Sequence, residues 1–221
     1  MPTLLHIDCS PQKPSRSVSR HITAASVEAW RKRYPDGQVI HRDLAETPLT
    51  SIDQAWVDGH NQPVDQRTED QDFALAQSER LIDELLGADL LVIGAPMHNY
   101  NLPAVLKSWL DHVILSNRTV IFTKNGPRGL LTALNAIVVT SSGGEYISSR
   151  QTQELDFETP YLRFTLEVLG VRKVRFLQVG STNQIDAPNL SLAAFVAPWC
   201  DQMKEIVSEV SEALSQEKTT V

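Results

Sequence analysis

The feature that most constrains this chain is a short apolar run that stops abruptly before a helical segment. Residues 90–93 read Leu-Leu-Val-Ile, without the polar alternation of a half-exposed strand. Such a run is typical of a parallel strand that is buried on both faces. Gly94 and Pro96 end it, and Pro103 suits the first position of the next helix because its missing N–H would be unpaired there. The run therefore predicts a strand–loop–helix turn of an open α/β sheet, where such sheets bind ligands.

Four further strand segments alternate with helical segments along the 221 residues. This alternation predicts an α/β protein with a five-stranded parallel sheet, helices on both faces, and one domain over residues 1–221. The strands are expected near 3–8, 38–43, 89–94, 136–140 and 174–179, and the main helices near 17–33, 72–86, 102–115, 159–169 and 190–214. A polar tail from about 215 to 221 is expected to fray.

The order of the strands decides which loops meet. In the order 2-1-3-4-5 the first and third strands are neighbours, and the winding of the chain reverses between them. The loops at 9–19 and 95–103 then flank one crevice, and the loop at 141–146 lies next to it. We call the first of these the serine loop (residues 9–19) and the third the glycine loop (residues 141–146).

Composition and charge exclude several classes of partner. A formal charge of −7 argues against nucleic acid, because neutralising phosphates requires clustered Lys and Arg. No apolar run approaches the roughly 18 residues that span a bilayer, and the first residues show no secretory signal. Cys9 and Cys200 are too few for a disulfide framework, so a reducing cytoplasm is the expected location.

The serine loop combines hydroxyls, cations and the start of a helix. Its serines are Ser10, Ser15, Ser17 and Ser19, and Lys13, Arg16 and Arg20 add positive charge without a nearby acid. Hydroxyls and unpaired amides at a helix N-terminus bind phosphate without a glycine-rich cradle, although the same serines equally suit a helix cap. Because the chain lacks both a dinucleotide fingerprint and a P-loop motif, the loop favours a small anionic ligand held in another way.

Cys9 and Arg16 allow a second interpretation of the serine loop, as a near match to the low-molecular-weight tyrosine phosphatases. That family separates its nucleophilic Cys from the Arg by five residues, whereas six separate them here and two are proline. Each proline lacks the N–H that would hold a phosphate, and no Asp-Pro pair resembles that family's general acid. Cys9 is therefore interpreted as a small residue at a strand end, and a Cys9-based phosphatase or phosphodiesterase is the less favoured alternative.

The other two loops suit a flat ligand with polar edges. The second loop supplies Pro96, Met97, His98, Asn99 and Tyr100, and the glycine loop supplies Ser141, Ser142, Gly143 and Gly144. Aromatic and thioether groups provide contact area, and glycine lets backbone approach a ligand. His98 and Tyr146 are the candidates for a catalytic role, although a lone loop His more often packs or forms hydrogen bonds. The histidines show no metal-ligand spacing, so no metal is expected.

Together these segments resemble the FMN-dependent NADH-azoreductases, which belong to the wider flavodoxin-like quinone reductases. The segments that carry the resemblance are Ser10, Ser17–Ser19, Pro96–Tyr100, Asn125–Leu131 and Thr140–Gly144, with Thr159–Leu162 similar to part of the family's late helix. The resemblance covers most of the chain. It implies a flavodoxin-like three-layer sandwich, a homodimer with one FMN per subunit, and sites at the dimer interface.

The resemblance also implies a reaction and a set of binding residues. NADH or NADPH reduces FMN and leaves before a quinone or azo compound is reduced. Carried over by position, the FMN phosphate is held by Ser10, Ser17, Val18 and Ser19. The isoalloxazine ring is lined by Met97, His98, Asn99 and Tyr100, and its opposite edge is followed by Ser141, Ser142, Gly143 and Gly144. Backbone amides near Gly143 and Gly144 are expected to stabilise negative charge on the reduced ring.

Three positions depart from the family's pattern, and one alternative stays open. His98, Tyr100 and Ser142 stand where tyrosine, phenylalanine and arginine are usual, so the acceptor and the preferred nicotinamide do not follow from the resemblance. The alternative is a flavodoxin-like electron carrier without its own substrate. The added segments 47–68 and 117–130 argue against a carrier, because a carrier needs an exposed flavin edge.

Overall fold

A computed structural model describes residues 1–186 and 190–219 of the chain. The strands are β1 (Thr3–Asp8), β2 (Gln38–Asp43), β3 (Leu90–Pro96), β4 (Val120–Thr123), β5 (Gly126–Gly129), β6 (Asn135–Ser141) and β7 (Lys173–Val179). The helices are α1 (Val18–Arg33), α2 (Gln54–His60), α3 (Glu69–Leu86), α4 (Ala104–Val113), α5 (Arg150–Gln153), α6 (Glu158–Val168) and α7 (Leu192–Thr219). Within the described ranges, no helix has both the length and the apolar character needed to cross a bilayer.

Five parallel strands form the main sheet in the order β2-β1-β3-β6-β7. Counted along the chain within this sheet, that order is the predicted 2-1-3-4-5, so the predicted fold class is confirmed. β4 and β5 form a separate antiparallel hairpin. All five strands of the main sheet therefore end at one carboxyl edge, where the connections from strand to helix lie.

Two apolar layers cover the two faces of the sheet. In β1, Leu5 and Ile7 pack with α3, α4 and α6, whereas Leu4 packs with α1 and α7. This division follows from the period of two in a strand, which sends successive side chains to opposite faces. β3 is buried on both faces, as the unbroken run of apolar residues in its sequence predicts.

Helix ends are where the structure departs from the sequence-based expectation. α3 begins at Glu69 rather than near Asp72, because Thr68 and Gln71 form a reciprocal capping box at its start. α7 continues to Thr219 rather than ending near Leu214. The fraying expected for residues 215–221 stays a prediction, and residues 220 and 221 lie outside the described part of the chain.

Candidate functional site

Three loops meet at the carboxyl edge of the sheet, as the strand order predicts. Asp8 at the end of β1 is in register with Gly94 in β3, and the Cys9 amide donates to the Gly94 carbonyl at 3.1 Å. On the other side of β3, the Met97 amide donates to the Ser141 carbonyl at 2.8 Å. The serine loop, the loop after β3 and the glycine loop are therefore neighbours.

Gly94 allows α1 to approach the end of β3. A Cβ atom at this position would lie 3.0 Å from Thr23 Cγ2, 3.1 Å from Asp8 Oδ1 and 3.6 Å from Ser19 Cβ. The first contact is tight and the second is with a buried carboxylate, so a larger residue would push α1 away from the sheet. The glycine that ends the apolar run thus lets the N-terminal part of α1 pack against the end of β3.

The start of α1 has the properties of an anion site. Ser17 is the N-cap, and its Oγ accepts from the Arg20 amide at 3.4 Å and lies 3.4 Å from Ser19 Oγ. The first turn of α1 contains no acidic residue, so nothing in that turn offsets the partial positive charge of the helix end. By contrast, the first turn of α3 carries three acidic residues, Glu69, Asp70 and Asp72.

The serine hydroxyls are less accessible than the sequence suggests. Ser17 is 2% exposed and Ser19 is 0% exposed, while residues 11–16 of the serine loop are exposed. A phosphate that contacts these two hydroxyls therefore requires a local rearrangement of the surrounding chain. Ser10 and Val18 are buried beside them.

The Arg20 side chain is paired with groups of the protein itself. This corrects the expectation that Arg20 adds to the positive charge that the serine loop offers to a ligand. Its guanidinium forms a two-pronged ion pair with Asp43, with Nη2 at 2.8 Å from Oδ1 and Nη1 on Oδ2. The same group donates to the Ser10 carbonyl from Nη2 at 2.6 Å and from Nε at 3.2 Å. Lys13 and Arg16 remain exposed. Arg20 therefore fixes the serine loop to β2.

Cys9 is fully buried at the end of β1, as expected of a small residue at a strand end. It is 1% exposed and packs in the apolar layer with α3, α4 and α6. Burial raises the pKa of its thiol well above the ordinary value, and the negative charge of Asp8 raises it further. The thiolate is the nucleophilic form, so this environment contradicts the alternative of a phosphatase that acts through Cys9.

The loop after β3 is a tight turn under backbone strain. His98 and Asn101 exchange two backbone hydrogen bonds of 2.7 and 3.0 Å, and the residues between them, Asn99 and Tyr100, have φ of 49° and 68°. Positive φ at both central residues is the pattern of a type I′ turn, which Asn tolerates and tyrosine rarely adopts. We call His98–Asn101 the aromatic turn. Such strain is concentrated at functional sites.

The aromatic turn presents its side chains outwards. His98 and Asn99 are exposed, and Tyr100 is 51% exposed. The Tyr100 ring stands edge-on to that of Tyr146, with centroids 6.2 Å apart, which links this turn to the glycine loop. Tyr100 also accepts at its carbonyl from the Phe157 amide at 3.0 Å, just before α6.

The glycine loop is fixed at its ends and open at Gly143. The Ser142 amide donates to Val179 and the Ser181 amide donates to Gly144, both at 3.0 Å. A Cβ atom on Gly143 would meet no described atom within 4 Å. This stretch of backbone therefore faces open space and is free to contact a ligand.

A cavity of about 480 Å³ adjoins the aromatic turn. It is lined by His98, Asn99, Asn101, Leu102, Ala104, Lys107 and Tyr161. A larger cavity of about 790 Å³ lies between the β4–β5 hairpin and the segment from α6 to β7, where Gly170 and Val174 line it. Of these two cavities, the smaller one touches a loop at the carboxyl edge of the sheet and the larger one does not, so we place the candidate site beside the smaller cavity.

Glu158 is a buried carboxyl group below the glycine loop that the sequence did not reveal. It is 0% exposed, and neither carboxyl oxygen has a hydrogen-bond partner among the described residues. Burial, and to a smaller extent the charge of Asp156, raises the pKa of Glu158 to about 9. Glu158 is therefore protonated at neutral pH. In the sequence it stands in the first turn of a helix, where an acid is ordinary and gives no signal.

Comparisons with known proteins identify relatives along most of the chain. The family model for the flavodoxin-like fold matches residues 2–203. The chain is 38% identical to an FMN-dependent NADH:quinone oxidoreductase of Acidobacterium capsulatum over 93% of this chain and 98% of that protein. It is 41% identical to the protein of the same name from Azotobacter vinelandii, over 83% and 89% of the two chains.

Solved structures with the same fold are also found. An azoreductase from Bacillus anthracis strain Sterne superposes with a TM-score of 0.83 at 20% identity, over 95% of this chain and all of that one. An FMN-dependent NADH-azoreductase from the Ames Ancestor strain, solved in complex with FMN, gives a TM-score of 0.83 at 19% identity, over 96% and 100% of the chains. At these identities the structural likeness shows a shared fold.

Proposed function

We propose that this chain, which belongs to the flavodoxin-like family of FMN-dependent NADH:quinone oxidoreductases, uses NADH or NADPH to reduce quinones or azo compounds. The observation that carries the proposal is the meeting of three loops at one edge of the sheet. The serine loop leads into a helix whose first turn has no acidic residue, and the loop after β3 contains the exposed aromatic turn. The glycine loop contains Gly143, where a Cβ atom would meet only open space.

These residues fit FMN, and FMN supplies the hydride-transfer chemistry between the nicotinamide and the acceptor when it is bound. The phosphate suits the start of α1, where the first amides have no partner within the helix. Ser10, Ser17, Val18 and Ser19 would hold it there. One side of the flavin ring would be lined by Pro96, Met97, His98, Asn99 and Tyr100. The other side would be lined by Ser141, Ser142, Gly143 and Gly144.

The chain's own groups have distinct tasks in this proposal. A Cβ atom on Gly143 would meet only open space, so a ligand can approach the backbone here, and an amide of this loop would stabilise negative charge on it. The Tyr100 and Tyr146 rings would pack against a flat ring and exclude water from it. His98 and Tyr146 are our candidates for proton transfer to the acceptor, because His98 lines the cavity, the Tyr146 ring contacts that of Tyr100 in the same turn, and each carries an exchangeable proton.

A homodimer in the cytoplasm completes the proposal. Phe122, Phe157 and Phe164 are all more than half exposed, and Phe157 is hydrogen-bonded to the aromatic turn. A second copy of the chain that covers these rings would bury apolar surface beside the site. Sedimentation of the purified protein should give twice the mass of one chain. Cell fractionation tests the location.

The experiment that tests the function uses FMN-loaded protein under anaerobic conditions. Addition of NADH without acceptor should bleach the flavin absorbance, and a soluble quinone or azo dye should restore it over repeated turnovers. Parallel lines in double-reciprocal plots are expected, because the nicotinamide leaves before the acceptor binds. A flavin that stays oxidised in the presence of NADH and NADPH would contradict the proposal. A flavin that is reduced but never passes electrons to a soluble acceptor would favour the electron carrier.

A further inference from the structure

Three titratable side chains meet on the face of the sheet below the serine loop. His6 and Asp8 are two residues apart in β1, so their side chains point to the same face. His41 of β2 is the register partner of His6. Thr23 of α1 donates from Oγ1 to Asp8 Oδ1 at 3.0 Å, which identifies the face as the one that α1 covers. We call these three residues the His-Asp cluster.

The donor atoms of the His-Asp cluster are spaced like the ligands of one metal ion. His6 Nε2 lies 3.3 Å from Asp8 Oδ1, and His41 Nε2 lies 3.1 Å from Asp8 Oδ2. The ligand atoms of all three residues lie within 4.8 Å of one another. A tetrahedral zinc ion with bonds of 2.0–2.2 Å separates its ligand atoms by roughly 3.3 Å. The cluster therefore needs only small side-chain movements to surround an ion.

One member of the cluster has an unused polar atom. His6 is 6% exposed, and its Nε2 forms no well-aligned hydrogen bond among the described residues, the nearest acceptor being Asp8 Oδ1 at 3.3 Å. Buried polar atoms are rarely left without a partner. A cation between His6 and Asp8 would satisfy this nitrogen.

The charge around the cluster favours a cation. Arg20 lies 3.5 Å from Asp8 Oδ2, but its own charge is matched by the ion pair with Asp43. With neutral imidazoles, the negative charge of Asp8 is therefore in excess. The His41 side chain is 49% exposed at the edge of the sheet, which gives an ion a path from solvent.

We propose that His6, Asp8 and His41 bind one divalent zinc-type ion, which fastens the edge strand β2 to β1 below the serine loop. Two imidazoles and a carboxylate are a common ligand set for this ion, with water in the remaining position. The Thr23 hydroxyl on Asp8 supplies the outer hydrogen bond that orients a ligating carboxylate. Histidine spacing in the sequence did not predict this site, because its ligands come from two strands that are adjacent only in the folded sheet.

The test titrates untagged, chelator-treated protein with Co²⁺ and, in competition, with Zn²⁺. We expect one Co²⁺ per chain, with the intense visible absorption of a four-coordinate site, and its displacement by Zn²⁺. His41→Gln keeps a hydrogen-bond donor near Asp8 but removes an imidazole ligand. This variant should bind Co²⁺ at least about tenfold more weakly, since even outer-sphere changes at metal sites cost 10- to 100-fold in affinity.

Two controls make the result decisive. His60→Ala removes a histidine of α2, outside the cluster, and should leave Co²⁺ binding unchanged. Zn²⁺ should raise the melting temperature of the wild type and of His60→Ala but not that of His41→Gln, whose folding is checked by circular dichroism. Absence of Co²⁺ binding in the wild type, or binding of equal strength in His41→Gln, would overturn the proposal. Neither readout depends on FMN or on NADH.

Discussion

The two sides of the candidate site are built in different ways. On the serine side, Arg20 joins Asp43 to the Ser10 carbonyl, and the polar groups are buried and fixed by charged hydrogen bonds. On the aromatic side, Tyr100 is exposed on a strained turn and Gly143 faces open space. The buried serine side has to rearrange locally to admit a phosphate, which suits a cofactor that stays bound, whereas the open aromatic side suits substrates that enter and leave. We therefore infer that the larger part of cofactor affinity resides on the serine side and that acceptor choice resides on the aromatic side.

The largest expected effect is on cofactor affinity. Each hydrogen bond to a charged group contributes about 1.5–3 kcal/mol, so the double variant Ser17→Ala with Ser19→Ala should weaken FMN binding by about 10²- to 10⁴-fold. Fluorescence titration measures the change. Ser15→Ala is the matched control, because this serine is exposed in the same loop. An unchanged dissociation constant would mean that the two buried serines only cap α1.

The next largest effect is expected on stability, where the buried Arg20–Asp43 ion pair is compared with the exposed Lys107–Asp111 pair. Asp43→Asn removes the two-pronged partner of buried Arg20 and leaves it only the longer, 3.5 Å contact with Asp8, which should lower the free energy of unfolding by up to about 3–5 kcal/mol. Asp111→Asn removes the exposed partner of Lys107 on α4 and should cost less than about 1 kcal/mol. Urea unfolding of both variants measures the difference. If both variants lost the same free energy of unfolding, the Arg20–Asp43 pair would stabilise the protein no more than an exposed surface pair does.

Glu158 gives a stability effect that depends on pH. Its pKa of about 9 in the folded chain lies above the ordinary 4.5, so the unfolded chain releases this proton at lower pH than the folded chain does. The group therefore lowers stability progressively as pH rises from about 4.5 to about 9. Glu158→Gln should remove this loss and gain on the order of 3 kcal/mol at pH 7.

The pH profile of Glu158→Gln separates this cause from a general change in packing. Melting temperatures of the variant and the wild type should diverge as pH rises and converge near pH 4.5. Glu167→Gln, an exposed carboxylate on the same helix, should run parallel to the wild type at every pH. A constant difference between Glu158→Gln and the wild type would show that Glu158 ionises normally in the folded chain.

The smallest stability effect is expected on the aromatic side. Tyr100→Gly relieves a positive φ worth roughly 1–2 kcal/mol and loses a ring contact with Tyr146 worth roughly 0.5–1.5 kcal/mol. The two terms nearly cancel, so the free energy of unfolding should change by less than about 1 kcal/mol. The KM for the acceptor should rise, and FMN affinity should fall by no more than about tenfold, because one lost ring contact is worth roughly 0.5–1.5 kcal/mol. A loss of FMN affinity as large as that of the Ser17→Ala, Ser19→Ala double variant would show that the aromatic side contributes as much to cofactor affinity as the serine side.

The fold was predictable because it depends on patterns within single segments. The unbroken apolar run at 90–93 and its glycine define a buried strand, and the alternation of segments defines the parallel sheet. The placement of the three loops followed from the strand order. The first and last residues of the helices were less predictable, because they depend on side-chain caps. The capping box of Thr68 and Gln71, for example, sets the start of α3.

What the sequence did not reveal depends on contacts between distant segments. The internal use of Arg20 requires Asp43 of another strand, and the His-Asp cluster requires the register of β1 with β2. Glu158 is unusual only because it is buried and its carboxyl oxygens have no hydrogen-bond partner within the described part of the chain. In each of these cases the residue type is ordinary, and its environment gives it a special property.

The most direct test of the central inference compares the binding of FMN and riboflavin to the cofactor-free protein. The two ligands share the ring and differ in the phosphate, so their ratio of affinities measures what the serine side contributes. We predict one FMN per chain, bound at least about a hundredfold more tightly than riboflavin, as two hydrogen bonds to a charged phosphate require. Equal affinities for the two ligands, or no binding of either, would contradict it.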